Sequence, residues 1–393
     1  MVENYPVGAT VSISQLESNP YSVLDRLRET EPVSWVPALN AWLVTDRDLA
    51  IQAMRDATTY TVQDPRFSTG AIMGPSMLSL DGPEHDRQRR PYATQFRPSI
   101  VKGQFEDQLT LLTQSIVDRF ADRGQAELRT ELAGPLAVST IVRFLGLSDV
   151  DPDDFLGCYR TISDAIVGAA TGQATPPACH EALDHLRRLV SAALHRGDSP
   201  TLQALQSDGS LTDSEIVTST LVVMFGAIET SEGMTANTFW HLLTNPTTLA
   251  RVKADRSLVP SLIEESLRLE PAAAVIDRYC TATTKLGPTT IPAGDMVTIS
   301  LLSANRDPTT FPDPHLLNLD RTNLHQHVTF VQGPHGCLGL HLARLETSLA
   351  VTTVLDRFPD LALDRNASTP PTGLIFRKPD RLVVRWGDRQ PAS

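Results

Sequence analysis

Between Thr212 and Asn245 the sequence offers one helix with no internal stop, and this stretch constrains the fold more than any other part of the 393 residues. It opens on Thr212-Asp-Ser-Glu215, a capping box in which the threonine and glutamate side chains satisfy N–H groups that the first turn leaves unpaired. The next clear stop is Asn245-Pro246, since proline cannot continue a helix interior. Roughly thirty residues at ~1.5 Å each make a rod of about 45 Å, as long as a small domain is wide. Such a rod is expected to run through the middle of the molecule. Glu229 and Thr230 follow directly on its apolar run from Leu221 to Ile228. A carboxylate among apolar neighbours costs free energy unless it is paired or used, so either Glu229 has a task or that face of the helix meets water.

Helical spacing recurs over Tyr21 to Thr30, Asp46 to Asp56, Val101 to Ala121, Leu132 to Leu145, Cys179 to Leu194 and Leu338 to Leu355. Strand signals are fewer. Val33 to Trp35 and Ala41 to Thr45 flank a Pro-Ala-Leu-Asn turn and predict a small hairpin, with further short strands at Met296 to Leu301 and Leu382 to Trp386. The expected fold class is mainly α with a minor β region. Gln173 to Pro177 and Asp364 to Thr372 read as loops, and neither a repeat nor an interdomain linker stands out, so residues 1–393 are expected to form a single domain.

Charge and cysteine usage narrow the function classes. The chain has 34 Lys+Arg against 46 Asp+Glu, a net charge of −12, which disfavours a nucleic-acid partner. No apolar stretch approaches the ~18 residues of a membrane helix, and the first residues lack the basic and apolar regions of a secretion signal. Cys158, Cys179, Cys280 and Cys337 are scattered and include no Cys-x-x-Cys pair, which argues against a disulfide framework and for a reducing cytoplasm, with no membrane attachment.

The segment richest in chemistry is Phe330-Val-Gln-Gly333-Pro-His335-Gly-Cys337-Leu-Gly339. Its glycines and proline make an irregular loop that delivers Cys337 to the start of a helix, where peptide N–H groups and the helix dipole favour a thiolate. Cys337 is expected to be the most acidic of the four cysteines. Such a thiolate can ligate a metal or attack a substrate; a buried cysteine can equally be a small hydrophobe. His325, His327, His335 and His341 crowd the same region, so a zinc site of mixed His and Cys ligands, as in a zinc-dependent hydrolase, or a Cys-His nucleophile pair also stays open.

This Phe-x-x-Gly-x-His-x-Cys-x-Gly loop resembles the haem-binding loop of the cytochrome P450 superfamily, in its soluble bacterial type. Other matches stand in register upstream: Glu265-x-x-Arg268, an i,i+3 pair on one helix face; Gly226-Ala227-Ile-Glu229-Thr230, similar to the oxygen-activation motif; and His85-x-x-x-Arg89. Arg278 and His335 match further haem propionate contacts, and the likeness runs from about Trp35 to Leu355. Three positions depart from the pattern: Ala227 and Val331 where the family usually has glycine, and Leu316 where it commonly has Arg or His. His315, one residue away, is the expected substitute in the Glu265 and Arg268 network.

The resemblance implies a P450 fold over a single catalytic domain, with haem b between the long central helix and the Cys-loop helix. It implies a haem-thiolate monooxygenase that activates dioxygen and hydroxylates or epoxidises a largely apolar small molecule. Cys337 would be the metal ligand, and Phe330, Gly333, Gly339 and Ala227 would contact the cofactor. His85, Arg89, Arg278 and His335 would neutralise its propionates, Glu229 and Thr230 would serve catalysis by delivering protons, and Glu265 with Arg268 would form a structural ion pair. Thr230 is expected to bond the carbonyl of Gly226, four residues back. Electrons would come from a ferredoxin and its reductase to a monomeric enzyme, docking near Arg344. The substrate pocket is expected to draw on Ser68 to Met77, Tyr159 to Gly172, Val222 to Glu229, Ala273 to Ile276 and Gly373 to Phe376. A role in tailoring a bacterial secondary metabolite is the preferred expectation, with ring coupling, nitration and peroxide use as alternative outcomes.

Overall fold

The computed structural model describes residues 4–147, 151–170, 173–197 and 199–387. Five helices position the site: α1 (Gly82–Gln95), α2 (Pro152–Ala170), α3 (Asp213–Thr244), α4 (Val259–Leu269) and α5 (Leu340–Arg357). Helix α3 has 32 residues and begins on the capping box expected of Thr212 and Glu215, with both reciprocal bonds formed. At its far end the Asn245 side chain accepts from the Thr248 N–H and so caps the next helix, Pro246–Ala254. The same residue ends one helix and caps the next, which explains why the rod stops where it does.

Helix α3 is buried along most of its length because other helices flank it on several sides: Gly134–Phe144, Pro177–Arg196, α4 and α5. Every residue from Ser231 to Phe239 is buried, and small residues allow that crowding. At Gly233 an added Cβ would lie 2.8 Å from that of Ala272, so only glycine admits this approach. The sequence places the predicted helices well, with one local difference. The stretch expected as helix from Leu132 begins as a wide π-type turn over Arg129–Ala133 and becomes regular at Gly134. Proline at position 135 lacks an N–H, which frees the preceding turn from the ordinary bonding pattern.

The minor β region is led by a five-stranded sheet of β1 (Val33–Val36), β2 (Ala41–Val44), β3 (Tyr60–Thr61), β4 (Val275–Cys280) and β5 (Met296–Ser300), in spatial order β1-β2-β5-β4-β3. The hairpin β1–β2 pairs Trp35 with Trp42, β2 runs parallel to β5, and β4 is antiparallel to β5. Strand β4 was not apparent in the sequence, because Asp277-Arg278 breaks the apolar pattern of Val-Ile-Asp-Arg-Tyr-Cys. Two further strands, β6 (Pro371–Thr372) and β7 (Lys378–Pro379), form a short hairpin, and β7 lies against α3. The largest apolar core joins the helices, and a second lies against the sheet. No helix among the described residues is long and apolar enough to cross a membrane.

Candidate active site

A cavity of about 300 Å³ lies between α3 and the segment that leads into α5. Gly226, Ala227 and Thr230 of α3 line it, as do Phe330, His335, Cys337 and Gly339 of the loop and Arg89 of α1. The structure thus brings together most of the residues singled out in the sequence. Gly333 has φ +77°, and a Cβ there would fall 2.6 Å from the Met54 carbonyl oxygen, so the loop needs glycine at that point. Val331 has φ +61°, a left-handed conformation costly for a β-branched residue. The Cys337 N–H donates to the Phe330 carbonyl at 2.8 Å, which closes the loop and sets the thiol two residues before the Gly339 cap of α5.

Cys337 faces the cavity and is the exposed one of the four cysteines. Its position deep in the molecule raises the thiol above its ordinary value, opposed by the N–H groups of Gly339 and Leu340 and by the charges of Arg89 and Arg344. The helix-end donors expected from the sequence are therefore present, and burial outweighs them. Burial also raises Cys179, and takes Cys280 up to about 11.

On α3, the Thr230 hydroxyl donates to the Gly226 carbonyl at 2.6 Å, as expected. Glu229 is neither idle nor simply solvated. Lys378 of β7 places Nζ 2.5 Å from its Oε1, and the Tyr159 hydroxyl of α2 donates to Oε2 at 3.2 Å. The same ammonium lies 3.1 Å from Glu232, which also accepts from Arg129 at 3.0 Å. Lys378 was missed because nothing in a chain with few lysines ties position 378 to position 229; only the packing of β7 on α3 does.

Four cationic or imidazole side chains gather at one side of the cavity. The rings of His85 and His335 are 4.5 Å apart. His85 is buried, its Nδ1 bonds Asp86 at 3.0 Å, and its Nε2 has no partner. His335 Nε2 lies 2.7 Å from Asp81. Burial lowers His335 despite that carboxylate; it opposes, without overcoming, the hydrogen bonds from His335, Thr61 and the Val62 N–H that hold Asp81 down at about 2. Burial also lowers Arg89, whose guanidinium donates to the Gly336 carbonyl, and takes Arg278 down to about 10. Asp81, four residues before His85, is a site residue that the sequence reading passed over.

Glu265 and Arg268 are fully buried and joined by bonds of 2.6 and 2.9 Å. The network is completed by Arg321, whose Nε donates to Glu265 at 2.8 Å, and by the Asn318 N–H at 2.9 Å. This corrects the expectation for His315, which instead meets Asp25 at 2.9 Å and Arg306 at 3.1 Å. Arg321 lies six residues further on, and the fold of the Pro312 to Leu316 segment, whose carbonyls it bonds, brings it back.

The substrate segments expected from the sequence are met in part. Met77, Val222, Val223 and Ala273 line the cavity, while the described part of Tyr159 to Gly172 does not; Gly172 itself lies outside the described residues. Glu346 of α5 also lines it, buried and with Oε1 unpartnered, and burial pushes its carboxyl up to about 8. Behind Cys337 a second hollow of about 320 Å³ is lined by Lys102, His341 and Arg344 among others. Arg344 is paired with Glu264, which also holds His327. His327 and His335 thus turn to separate carboxylates, Glu264 and Asp81. No group of three His, Cys, Asp or Glu able to hold a metal ion forms among the described residues, which removes the donor set of the zinc hydrolase reading.

Comparison with known proteins agrees with this geometry. The family model described as cytochrome P450 matches residues 184–381. Cytochrome P450 107B1 of Saccharopolyspora erythraea is 31% identical, over 92% of this chain and 94% of its own length. The cytochrome P450 monooxygenase PikC of Streptomyces venezuelae is 32% identical, over 94% of this chain and 91% of its own. Among solved structures, the post-tailoring hydroxylase HmtN of himastatin biosynthesis superposes with a TM-score of 0.81 at 30% identity, covering 96% of this chain and 100% of that one. The chain belongs to the cytochrome P450 family, the haem b monooxygenases.

Proposed function

We propose that this chain is a single-domain haem-thiolate monooxygenase in which Cys337 holds the iron and Glu229 and Thr230 manage protons. The observation that carries the reading is one cavity with Cys337 on one wall and the Thr230–Gly226 bond on another. The donors present fit haem b. A thiol faces the cavity, and the orphaned Nε2 of His85 stands with Arg89, Arg278 and His335 where two propionates need partners. Ala227, Phe330 and Gly339 line the cavity and would supply the close, mostly apolar surface a flat ring requires, while Gly333 would serve by shaping the loop. Once bound, haem supplies the activation of dioxygen, which thiolate ligation favours, and the transfer of one oxygen atom to the substrate.

The protein's part is positional. Cys337 would hold the iron as a thiolate, and the Gly339 and Leu340 N–H groups with Arg89 and Arg344 would stabilise its charge. Thr230 spends its own hydrogen on the Gly226 carbonyl, so its oxygen is presented to the cavity as an acceptor that can hold a protonated water or oxygen. Glu229, the adjacent residue, is the acid that resupplies that proton. Apolar walls from Met77, Val222, Val223 and Ala273 favour a substrate with an apolar body and few polar handles. Relatives named for secondary-metabolite hydroxylation support a tailoring role. Electrons would come from a ferredoxin and its reductase to a monomer in the cytoplasm, with the hollow beside Lys102 and Arg344 as the docking face.

The test begins with the absorption spectrum of the reduced, carbon monoxide-bound protein. The wild type should give the band of a thiolate-ligated haem and Cys337→Ser should lose it; an unchanged band in the serine variant refutes the ligand assignment. Titrating the ferric protein with polyketide, terpenoid, fatty-acid and aromatic compounds then reads the substrate class from a shift in spin state.

A further inference from the structure

Glu229 is the proposed proton donor, yet the wall of the cavity is formed by Gly226, Ala227 and Thr230 while its own carboxylate is turned to Lys378 and Tyr159. Glu229 and Glu232 are like charges three residues apart on one helix, an arrangement that repels unless a cation lies between them. Lys378 is that cation, 2.5 Å from one carboxylate and 3.1 Å from the other, and Arg129 brings the group of four to net neutrality. The ammonium is delivered by a rigid support. Arg377, its neighbour, is buried and bonded to Glu270 and to the carbonyls of Leu16, Glu17, Pro371 and Gly373. Asn237 of α3 donates to the Arg377 carbonyl, which ties β7 to the long helix.

We propose that Lys378 is a positioning residue that holds the Glu229 carboxylate out of the cavity between proton deliveries, with Glu232 as the partner that keeps the ammonium neutralised when Glu229 swings in. This inference rests on the reading of Glu229 as the proton donor. Glu229 is one turn from Gly226 and adjacent to Thr230, both on the wall, so rotation of its side chain carries the carboxylate from Lys378 to the cavity. Released, it takes one proton from solvent water, passes it to water beside Thr230 and returns as a carboxylate; Lys378 keeps its three protons throughout. Tyr159 stays a hydrogen-bond donor, because burial and the Glu229 charge raise its hydroxyl well above the ordinary value. A ligand can shift such a two-state side chain only by favouring one state, and contact with both carboxylates leaves the ammonium a partner, Glu232, in either state.

The titratable and charged groups facing Glu229 are Tyr159 from α2, Glu232 from α3 and Lys378 from β7, with Arg129 one pair further on. The experiment follows protonation of Glu229 in the resting ferric holoenzyme by infrared difference spectroscopy, with the carboxyl band assigned by its absence in Glu229→Gln, and measures the pH profile of turnover in parallel. Lys378→Met should move the Glu229 midpoint and the matching limb of the pH profile upward by about one pH unit or more, and Lys378→Arg should restore both. Glu232→Gln leaves the ammonium only Glu229 to hold, and should slow turnover several-fold without loss of the folded, haem-loaded protein. An unmoved midpoint in Lys378→Met, or full turnover in Glu232→Gln, overturns the proposal. Full, coupled turnover in Glu229→Gln would instead sink the reading of Glu229 itself, whatever Lys378 does to the band.

Discussion

The cluster around Glu265 and the cluster around Glu229 are made of the same chemistry and put to opposite ends. In the first, the carboxylate and guanidinium three residues apart have opposite charge, are fully buried, and have their other bonding positions taken by Arg321, the Asn318 N–H and the carbonyls of Asn305, Pro314 and Leu316. In the second, two carboxylates at that same spacing share one lysine, and their side chains are 16% and 10% exposed. A saturated buried network has one arrangement, whereas the proposal gives the shared cation two. The first joins α4 to the loop from Asn305 to Arg321; in the proposed reading the second leaves Glu229 free to move.

The contrast is broken most directly at Arg268. Arg268→Leu strands the Glu265 carboxylate in a dry place and should cost about 3–5 kcal/mol, read as lost haem retention and a much lower unfolding midpoint. Arg321→Gln, which leaves Arg268 in place, should cost about 1–3 kcal/mol, while His315→Ala, which removes a half-exposed pair with Asp25 and one bond to Arg306, should cost about 1 kcal/mol and leave haem retention intact. If His315→Ala proved the more damaging, the assignment of Arg321 to this network would be wrong.

At Glu229 and Thr230 the proposed function places the expected effects on chemistry rather than on folding. Thr230→Ala should keep the fold and consume reductant while releasing peroxide instead of product. Product formed in the wild-type ratio would remove Thr230 from the proposed role.

Stability against pH sharpens the comparison further. Hydrogen bonds and ion pairs hold Glu264 and Asp81 at about 2, against ordinary values of 4.5 and 3.8, despite burial. A depressed carboxylate stabilises the fold above its ordinary value and loses that contribution as pH falls toward the folded value. Acid should therefore weaken the protein between about pH 4.5 and 2, and Asp81→Asn should flatten part of that slope. Glu346 has the opposite sign. Its folded carboxyl sits at about 8, so stability should decline as pH rises from about 4.5 to 8, by a few kcal/mol at most, and Glu346→Gln should raise the unfolding midpoint at pH 8 more than at pH 5.

Local signals made part of this legible. The capping box at Thr212, the stop at Asn245-Pro246 and the bond of Thr230 to Gly226 all involve residues within a few positions of one another; the first two were read from spacing and the third from the family resemblance. Strand β4 was not legible, because the polar pair Asp277 and Arg278 interrupts its apolar alternation; Arg278 is buried, and Asp277 accepts from Thr298 of the neighbouring strand β5. Distance along the chain hid Arg321 and Asp81. It also misdirected the expectation for His315, where nearness in sequence stood in for nearness in space.

What the sequence by itself determined is the long helix, the glycine-rich loop that presents Cys337 and the order of the motifs, because capping, proline and glycine geometry act within a turn or two of chain. What only the tertiary structure decided is which charge meets which: Arg321 with Glu265, Asp81 with His335, and Lys378 between Glu229 and Glu232. Those contacts join residues 56, 254, 149 and 146 positions apart, and side chains so far apart meet only where the packing of helices and strands carries them.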